Sequence, residues 1–242
     1  LTNTLTDTID IPVEKVWNDS DDKGGTRPDS IRLVLCANGE EYREATVERP
    51  DTDDGRWAYT FEGLPEYDED GVRIEYTVVE KEVPDGYDVR VDGMTVENVA
   101  VTSLTVEKSW LGVEPDALKE VTASIYRAAV TDEELEAGKL DGDSRAEAVP
   151  GDDGGEMTVT LNEGNGWNVT IEDLPKYDSE GKTYVYFAKE TAIGGEEPPE
   201  DELYISYENG RDPASGDYST RIINVGRTDI EGSKTWKDNG GV

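Results

Sequence analysis

The chain reads VEKVW at residues 13–17, VEKSW at 106–110 and GSKTW at 232–236. Further motifs recur between the first two copies in the same order. They are FEGLPEY at 61–67 and IEDLPKY at 171–177, YTVVE at 76–80 and YFAKE at 186–190, and VENV at 96–99 and IINV at 222–225. Self-similarity in a fixed order is the sequence signature of tandem structural repeats. The sequence therefore predicts a string of related units.

These repeats divide the chain into four predicted segments. Residues 9–101 and 102–227 form two complete domains. Residues 1–8 are predicted to be the closing strand of a preceding repeat, and 228–242 the start of a following one. Because no Gly/Ser spacer separates the units, we expect a semi-rigid rod.

The second domain is longer than the first because of two insertions. In one, Thr131 and Glu134 fit a capping box and Gly138 fits a helix end, which predicts one short helix. The other, at 193–218, is rich in Gly, Pro and acidic residues. It is typical of a long surface excursion, with an extra hairpin at 203–207.

Elsewhere, short runs alternate apolar and polar residues, as in RWAYTF at 56–61 and GWNVTI at 166–171. Period-two runs separated by Gly, Pro, Asn and Asp are typical of half-buried strands. Many such strands at this spacing favour a β-sandwich. Only 34% of the residues are hydrophobic, which suits two thin sandwiches better than one large core. The predicted fold is all-β, with one short helix in the second domain.

Composition excludes several classes of function. The net charge of −34 argues against nucleic acid and against anionic membranes as partners. No stretch approaches the apolar length of a transmembrane helix. The absence of His excludes His-based triads and His-containing zinc sites. We expect neither a cofactor nor a metal.

Two local features receive unremarkable interpretations. Cys36 is the single cysteine, so no internal disulfide is possible, and the alternation predicts an outward-facing, unreactive thiol. The segment DSDDKG at 19–24 faintly resembles an EF-hand loop. Because Lys23 occupies a ligand position and Ser30 stands where a bidentate Glu is required, we interpret it as a solvated acidic loop.

The repeated motif places a lysine where a hydrophobic residue is expected. Side chains alternate between the two faces of a strand, so Lys15 shares its face with Val13 and Trp17. Lys108 occupies the same place in the second copy. A single lysine of this kind usually extends its ammonium group to the rim of the sheet. Its recurrence calls for a further explanation.

Two more polar residues recur on apolar faces. Glu80 lies on the apolar face of its predicted strand and Asn98 on that of the closing strand, with Glu190 and Asn224 at the matching positions. Taken singly, such a Glu is usually solvated and such an Asn usually caps a turn. A buried Lys–Glu ion pair is the alternative interpretation. Such pairs are poor stabilisers, and a pair leaves the third polar partner unexplained.

At these residues the chain resembles the Cna B-type repeat domains of Gram-positive surface proteins. The shared motifs are Lys-x-Trp, Leu-Pro-x-Tyr-Asp at 64–68 and 174–178, Tyr-x-x-x-Glu and the closing apolar-x-Asn. The segment RPDS at 27–30 adds to the resemblance, and the second copy lacks it. The resemblance implies an immunoglobulin-like sandwich of reverse topology. It also implies self-formed isopeptide bonds, Lys15 to Asn98 assisted by Glu80, and Lys108 to Asn224 assisted by Glu190.

The expected function is mechanical. The resemblance implies a stalk segment of a surface adhesin or pilus-like protein, extracellular and anchored to a Gram-positive cell wall. Its expected partners are the neighbouring repeats, with isopeptide formation a single event and not enzymatic turnover. The alternative is a ligand-binding adhesin module that contacts host matrix through residues 193–218. A third, more distant hypothesis is an accessory domain of a carbohydrate-active enzyme.

Overall fold

The computed structural model describes residues 8–52, 54–114, 118–138, 145–199 and 201–227. The strand predicted to end a preceding repeat falls almost entirely outside these ranges. The third Lys-x-Trp motif, which includes Lys234, falls outside them as well. No helix in the described ranges is long and apolar enough to cross a membrane.

Strands dominate the described ranges. In chain order they are β1 (Thr8–Asn18), β2 (Ser30–Ala37), β3 (Glu40–Glu48), β4 (Arg56–Pro65), β5 (Tyr76–Lys81), β6 (Tyr87–Asp92), β7 (Thr95–Leu111), β8 (Val121–Val130), β9 (Glu147–Ala148), β10 (Thr158–Leu161), β11 (Asn168–Pro175), β12 (Thr183–Ile193), β13 (Leu203–Arg211) and β14 (Tyr218–Gly226). One α-helix, α1, spans Asp132–Glu136, and a 3-10 turn spans Glu163–Asn165.

The first repeat is a sandwich of two sheets. One sheet has the order β6-β7-β1-β4, in which β1 runs parallel to β7 and antiparallel to β4. The other has the order β3-β2-β5. Alternate side chains of both sheets meet in one core, which includes Val13, Leu33, Phe61 and Val78.

The second repeat has the same arrangement. Its first sheet has the order β13-β14-β7-β11, with β14 parallel to β7. Its second has the order β10-β8-β12, with β9 beside β8. The core between them includes Leu104, Ile125, Val185 and Ile222. The prediction of tandem immunoglobulin-like β-sandwiches is confirmed.

One strand joins the two sandwiches. The first half of β7 pairs with β1 and β6, and its second half pairs with β11 and β14. The last strand of the first repeat is therefore continuous with the first strand of the second. The boundary predicted between residues 101 and 102 lies inside this strand.

Contacts beside β7 also link the repeats. Lys23, in the loop after β1, donates to the carbonyl oxygen of Gly181 at 3.3 Å and forms an ion pair with Asp132 of α1 at 2.5 Å. Its ammonium nitrogen lies 5.5 Å from the centre of the Tyr177 ring. Ser20 donates to the same carbonyl oxygen at 3.3 Å. The joint between the repeats thus consists of the shared strand β7 and of polar contacts from the loop after β1 to the second repeat.

The insertions of the second repeat adopt regular structure. The short helix is confirmed, because Thr131 caps α1 in a capping box with Glu134 and Gly138 takes a positive φ of 72°. The extra hairpin is also present, but it extends beyond the predicted residues 203–207. Nine residues form β13, and all of them pair with β14. Much of the predicted excursion is therefore the edge strand that corresponds to β6.

Two local predictions hold only in part, because each missed the burial of one residue. Cys36 is a free thiol, but it is buried, with 8% of its surface exposed, although it lies outside the core cluster that includes Leu35. It belongs to β2, the central strand of its sheet, which β3 and β5 flank. The segment 19–24 is only partly a solvated loop, because Asp19 is 2% exposed. A buried charge needs a partner, and Asp19 has one in Arg27, as described below.

Candidate functional site

Three strands bring the first predicted triad together. Lys15 comes from β1, Glu80 from β5 and Asn98 from β7, so the triad bridges the two sheets. The Lys15 ammonium nitrogen lies 3.7 Å from Glu80 Oε2, and both side chains are 0% exposed. Asn98 Nδ2 donates to Glu80 Oε1 at 3.1 Å. All three residues occupy the buried face predicted from the alternation.

The second repeat repeats this geometry. Lys108 of β7 lies 3.5 Å from Glu190 Oε2 of β12, again with both side chains 0% exposed. Asn224 of β14 donates from Nδ2 to Glu190 Oε1 at 2.9 Å. The RPDS segment that the second copy lacks is therefore not required to assemble the triad.

An indole ring covers each lysine. The ammonium nitrogen of Lys15 lies 4.1 Å from the centre of the Trp17 ring, and Lys108 lies at the same distance from Trp110. Trp17 packs in turn against Trp57, at a centroid distance of 5.2 Å. Each amine therefore faces an aromatic surface in place of water.

Burial shifts both members of each acid–amine pair toward their neutral forms. Desolvation lowers the pKa of Lys15 to about 8, against the opposing attraction of Glu80. It likewise lowers the pKa of Lys108 to about 8. Desolvation raises the pKa of Glu80 and of Glu190 above the usual range of a carboxyl group. Both directions favour a proton on the acid and a free electron pair on the amine.

Matching polar atoms of both triads are buried without a hydrogen-bond partner in the described ranges. In the first repeat they are Glu80 Oε2 and Asn98 Oδ1, and in the second Glu190 Oε2 and Asn224 Oδ1. Such atoms are costly in a folded protein. Rotating the carboxamide would turn its oxygen toward the carboxyl group, which could donate once protonated. The triads thus have the groups for acid-assisted attack of an amine on an amide.

Sequence reasoning missed a second buried polar cluster beside the first triad. Arg27 donates two hydrogen bonds to Asp19, at 2.7 and 2.6 Å, and the Tyr87 hydroxyl donates a third at 3.0 Å. Burial alone would raise the pKa of Asp19, but the hydrogen bonds from Arg27, the Asp22 amide and Tyr87 lower it overall. The RPDS motif was a signal for Arg27, but nothing in the sequence identified its partner.

The described ranges contain no group of three or more His, Cys, Asp or Glu side chains that could hold a metal ion. Asp22, within the EF-hand-like segment, uses its carboxylate oxygens differently. One accepts hydrogen bonds from the backbone amides of Thr26 and Arg27, and the other accepts one from Arg49. These contacts hold the loop after β1 in place.

The two sandwiches and their matching triads define a tandem-repeat β-protein. The chain belongs to the Cna protein B-type domain family, whose family model matches residues 11–99 and 147–202. The first match contains the whole first triad. The second contains Glu190 but neither Lys108 nor Asn224.

A curated relative and several solved structures are similar to the chain. The collagen adhesin of Staphylococcus aureus is 30% identical over 236 residues, which are 96% of this chain and 17% of that protein. A crystal structure of its single B repeat unit is 26% identical, covering 90% of this chain and 98% of that one, with a TM-score of 0.36. A crystal structure of a double mutant of the shaft pilin SpaA of Lactobacillus rhamnosus GG is 13% identical, with a TM-score of 0.31. The match covers 93% of this chain and 100% of that one.

Proposed function

We propose that this chain is a stalk segment of a surface adhesin or pilus-like protein on a Gram-positive cell wall. Each of its repeats closes with an intramolecular Lys–Asn isopeptide bond that the protein forms itself. The observation that carries the proposal is the recurrence of one dry Lys–Glu–Asn arrangement in both sandwiches. Membership of the Cna B-type family supports it.

The reaction is an exchange of amines at a carboxamide. The neutral Lys15 nitrogen attacks the side-chain carbonyl carbon of Asn98, while protonated Glu80 polarises the carbonyl oxygen and stabilises the charge that develops there. Glu80 passes its proton to the departing Asn98 nitrogen and takes one from the lysine nitrogen, so the carboxylic acid is regenerated. One C–N bond forms, another breaks, and ammonia leaves. The groups of the second repeat act in the same way.

Folding supplies most of what the reaction needs. The three side chains meet only when both sheets are assembled, because they come from strands far apart in the sequence. Such positioning can lower a barrier by about 7–11 kcal/mol. Since the amine and the amide are consumed, each repeat reacts once. The event is maturation of the protein and not turnover.

The position of the bond explains a mechanical role. Lys15 lies on the first strand of its repeat and Asn98 on the last, and these strands are parallel neighbours. Tension that enters through β1 and leaves through β7 would pass across the covalent bond. The sheets between the two ends would then carry little load.

Peptide mapping tests the proposal. Proteolysis of the wild-type chain should yield one branched peptide that joins Lys15 to Asn98 and another that joins Lys108 to Asn224. Substitution Asn98→Ala should abolish the first branched peptide and leave the second. Linear peptides alone, each carrying an unmodified lysine, would refute the proposal.

A ligand-binding adhesin module is the second candidate function. It is favoured by the exposed Tyr204, with 58% of its surface accessible on the edge strand β13, within the segment predicted for ligand contact. The similar S. aureus protein is named a collagen adhesin. Immobilised collagen is therefore the first host-matrix ligand to test. Binding that Tyr204→Ser weakens and Tyr42→Ser leaves intact would support this function, since Tyr42 is an exposed tyrosine of the first repeat.

A further inference from the structure

The strand that carries Glu190 lies at the edge of its sheet. In the order β10-β8-β12, no strand of the described ranges lies on the outer side of β12. Two backbone amides of β12 donate hydrogen bonds to side-chain hydroxyl groups of the facing sheet. The Ala188 amide donates to Thr220 Oγ1 at 3.1 Å, and the Glu190 amide donates to the Tyr207 hydroxyl at 3.3 Å. Together the two hydroxyls form a latch between the sheets.

The latch is itself braced. Thr220 is 0% exposed, and its hydroxyl donates to Asn209 Oδ1 at 2.8 Å. Thr220 and Asn209 are also backbone partners in the pairing of β14 with β13. Burial raises the pKa of Tyr207, so its hydroxyl stays protonated at neutral pH. The Thr220 hydroxyl is therefore held in place by its own hydrogen bond, whereas Tyr207 lies on the neighbouring strand β13 with 38% of its surface exposed.

The backbone at Glu190 needs such support. The pairing of β12 with β8 is irregular between Glu190 and Ala192, where the register shifts. A bulge leaves a residue unpaired and disrupts the ladder locally. In the first repeat, β5 pairs with β2 regularly from Tyr76 through Glu80 to Lys81. Glu190 of the second triad thus lies beside an irregularity in strand pairing, whereas Glu80 of the first triad lies in a regularly paired strand.

Among the described residues of the first repeat, the positions that match the latch carry no hydroxyl group. Tyr207 pairs with Ile222, two residues before Asn224, and the residue in that register of the first repeat is Val91. Thr220 lies four residues before Asn224, and Met94 lies four before Asn98. Neither Val91 nor Met94 has a hydroxyl group. The latch therefore occurs in the repeat whose acid-bearing strand is bulged.

We propose that Tyr207 and Thr220 are positioning residues for isopeptide formation in the second repeat. They hold the backbone of β12 so that the carboxyl group of Glu190 stays between Lys108 and Asn224. Neither residue enters the chemistry. This inference rests on the proposed function, and the first repeat of the same chain provides the control.

The test measures how fast each bond forms when full-length chains refold. The chains start unfolded in denaturant, with neither bond yet formed, and folding begins on dilution. Samples are quenched at intervals and the two branched peptides are quantified by mass spectrometry. Tyr207→Phe and Thr220→Val should slow the second bond by about tenfold or more, while the first bond forms at the wild-type rate. Thr220→Ser restores a hydroxyl and should restore the rate. Near-ultraviolet circular dichroism of each variant, in a Lys108→Met background where no second bond can form, verifies that the second repeat still folds.

Each failure has a distinct meaning. Folded Tyr207→Phe and Thr220→Val variants that form the second bond at the wild-type rate would overturn the latch and leave the proposed function standing. Slowing by Thr220→Val that Thr220→Ser does not reverse would overturn the role of the hydroxyl. A wild-type chain that forms no second bond would overturn the proposed function for this repeat and the latch with it.

Discussion

Asn98 lies opposite Trp17 in the parallel pairing of β7 with β1, and the same register places Asn224 opposite Trp110. Each asparagine is therefore the diagonal neighbour of a lysine two residues earlier on the adjacent strand, on the same buried face. Glu80 and Glu190 contact the lysine and asparagine of their own repeat from the opposite sheet. This shared register gives both triads the same arrangement of amine, amide and acid.

Removing one glutamate should leave one repeat unlinked. We expect the Glu80→Ala variant to be lighter than its own sequence by one ammonia, where two bonds would remove two. The first bond is lost because the acid that polarises the Asn98 amide is missing. The matched variant Glu190→Ala should behave identically while retaining the first bond. Intact mass spectrometry of both variants checks this. Complete cross-linking in Glu80→Ala would show that the acid is dispensable.

The rate of bond formation should be bell-shaped in pH. The reactive pair, a neutral Lys15 beside a protonated Glu80, holds one proton in total. Burial lowers the pKa of Lys15 to about 8, and above this pH the pair as a whole loses its remaining proton. Glu80 is then a carboxylate and can no longer assist as an acid. In acid the pair gains a second proton, the amine becomes charged and attack stops. Ammonia release after dilution from denaturant, followed from pH 4 to pH 10, measures the profile. A rate that rises steadily to pH 10 would contradict the role of Glu80.

Cross-linking should stabilise the first repeat. The bond closes the long loop from Lys15 to Asn98, and the chain-entropy relation for such a loop gives about 4–5 kcal/mol. We expect Lys15→Met, which prevents the bond, to lower the free energy of unfolding by an amount of this order. Lys81→Met, at an exposed ion pair of the same repeat, should change it little. Denaturant titration monitored by tryptophan fluorescence makes the comparison. Equal effects of the two substitutions would exclude stabilisation by the bond.

The buried Asp19–Arg27 pair should be essential to the first repeat. Arg27→Met leaves an uncompensated buried carboxylate, and breaking a buried pair costs about 3–5 kcal/mol. Arg32→Met provides the control, because Arg32 pairs with Glu44 at the surface. Its free energy of unfolding should stay close to that of wild type. Chemical denaturation of both variants decides whether the buried pair differs from the surface pair.

The joint between repeats should depend on Lys23. Its contacts with Gly181 and Asp132 cross between the repeats, so we expect Lys23→Ala to broaden the range of angles between them. Lys182→Ala should not do so, because Lys182 pairs with Glu180 in its own turn. Small-angle X-ray scattering measures the spread of molecular dimensions. Identical profiles for wild type and Lys23→Ala would show that β7 alone fixes the joint.

Much of the fold and of both triads could be predicted because they depend on periodicity. Alternation alone placed Lys15 and Lys108 on buried faces, and recurrence in a second copy separated them from ordinary snorkelling lysines. The capping box at Thr131 likewise needs only neighbouring residues. Local rules of this kind are readable from one sequence.

Features that depend on contacts between distant segments could not be predicted. Burial of Asp19 follows from its pairing with Arg27 and from the Tyr87 hydroxyl, which comes from a distant strand. Cys36 is buried on β2, which β3 and β5 flank, and alternation within one strand does not reveal this burial. The latch at Tyr207 required the register of β13 with β14.

The most direct measurement of the central claim is the intact mass of the wild-type chain. If both triads react, the protein should be lighter than its sequence by the mass of two ammonia molecules. A mass equal to that of the full sequence, from chains folded at neutral pH, would contradict the formation of either bond.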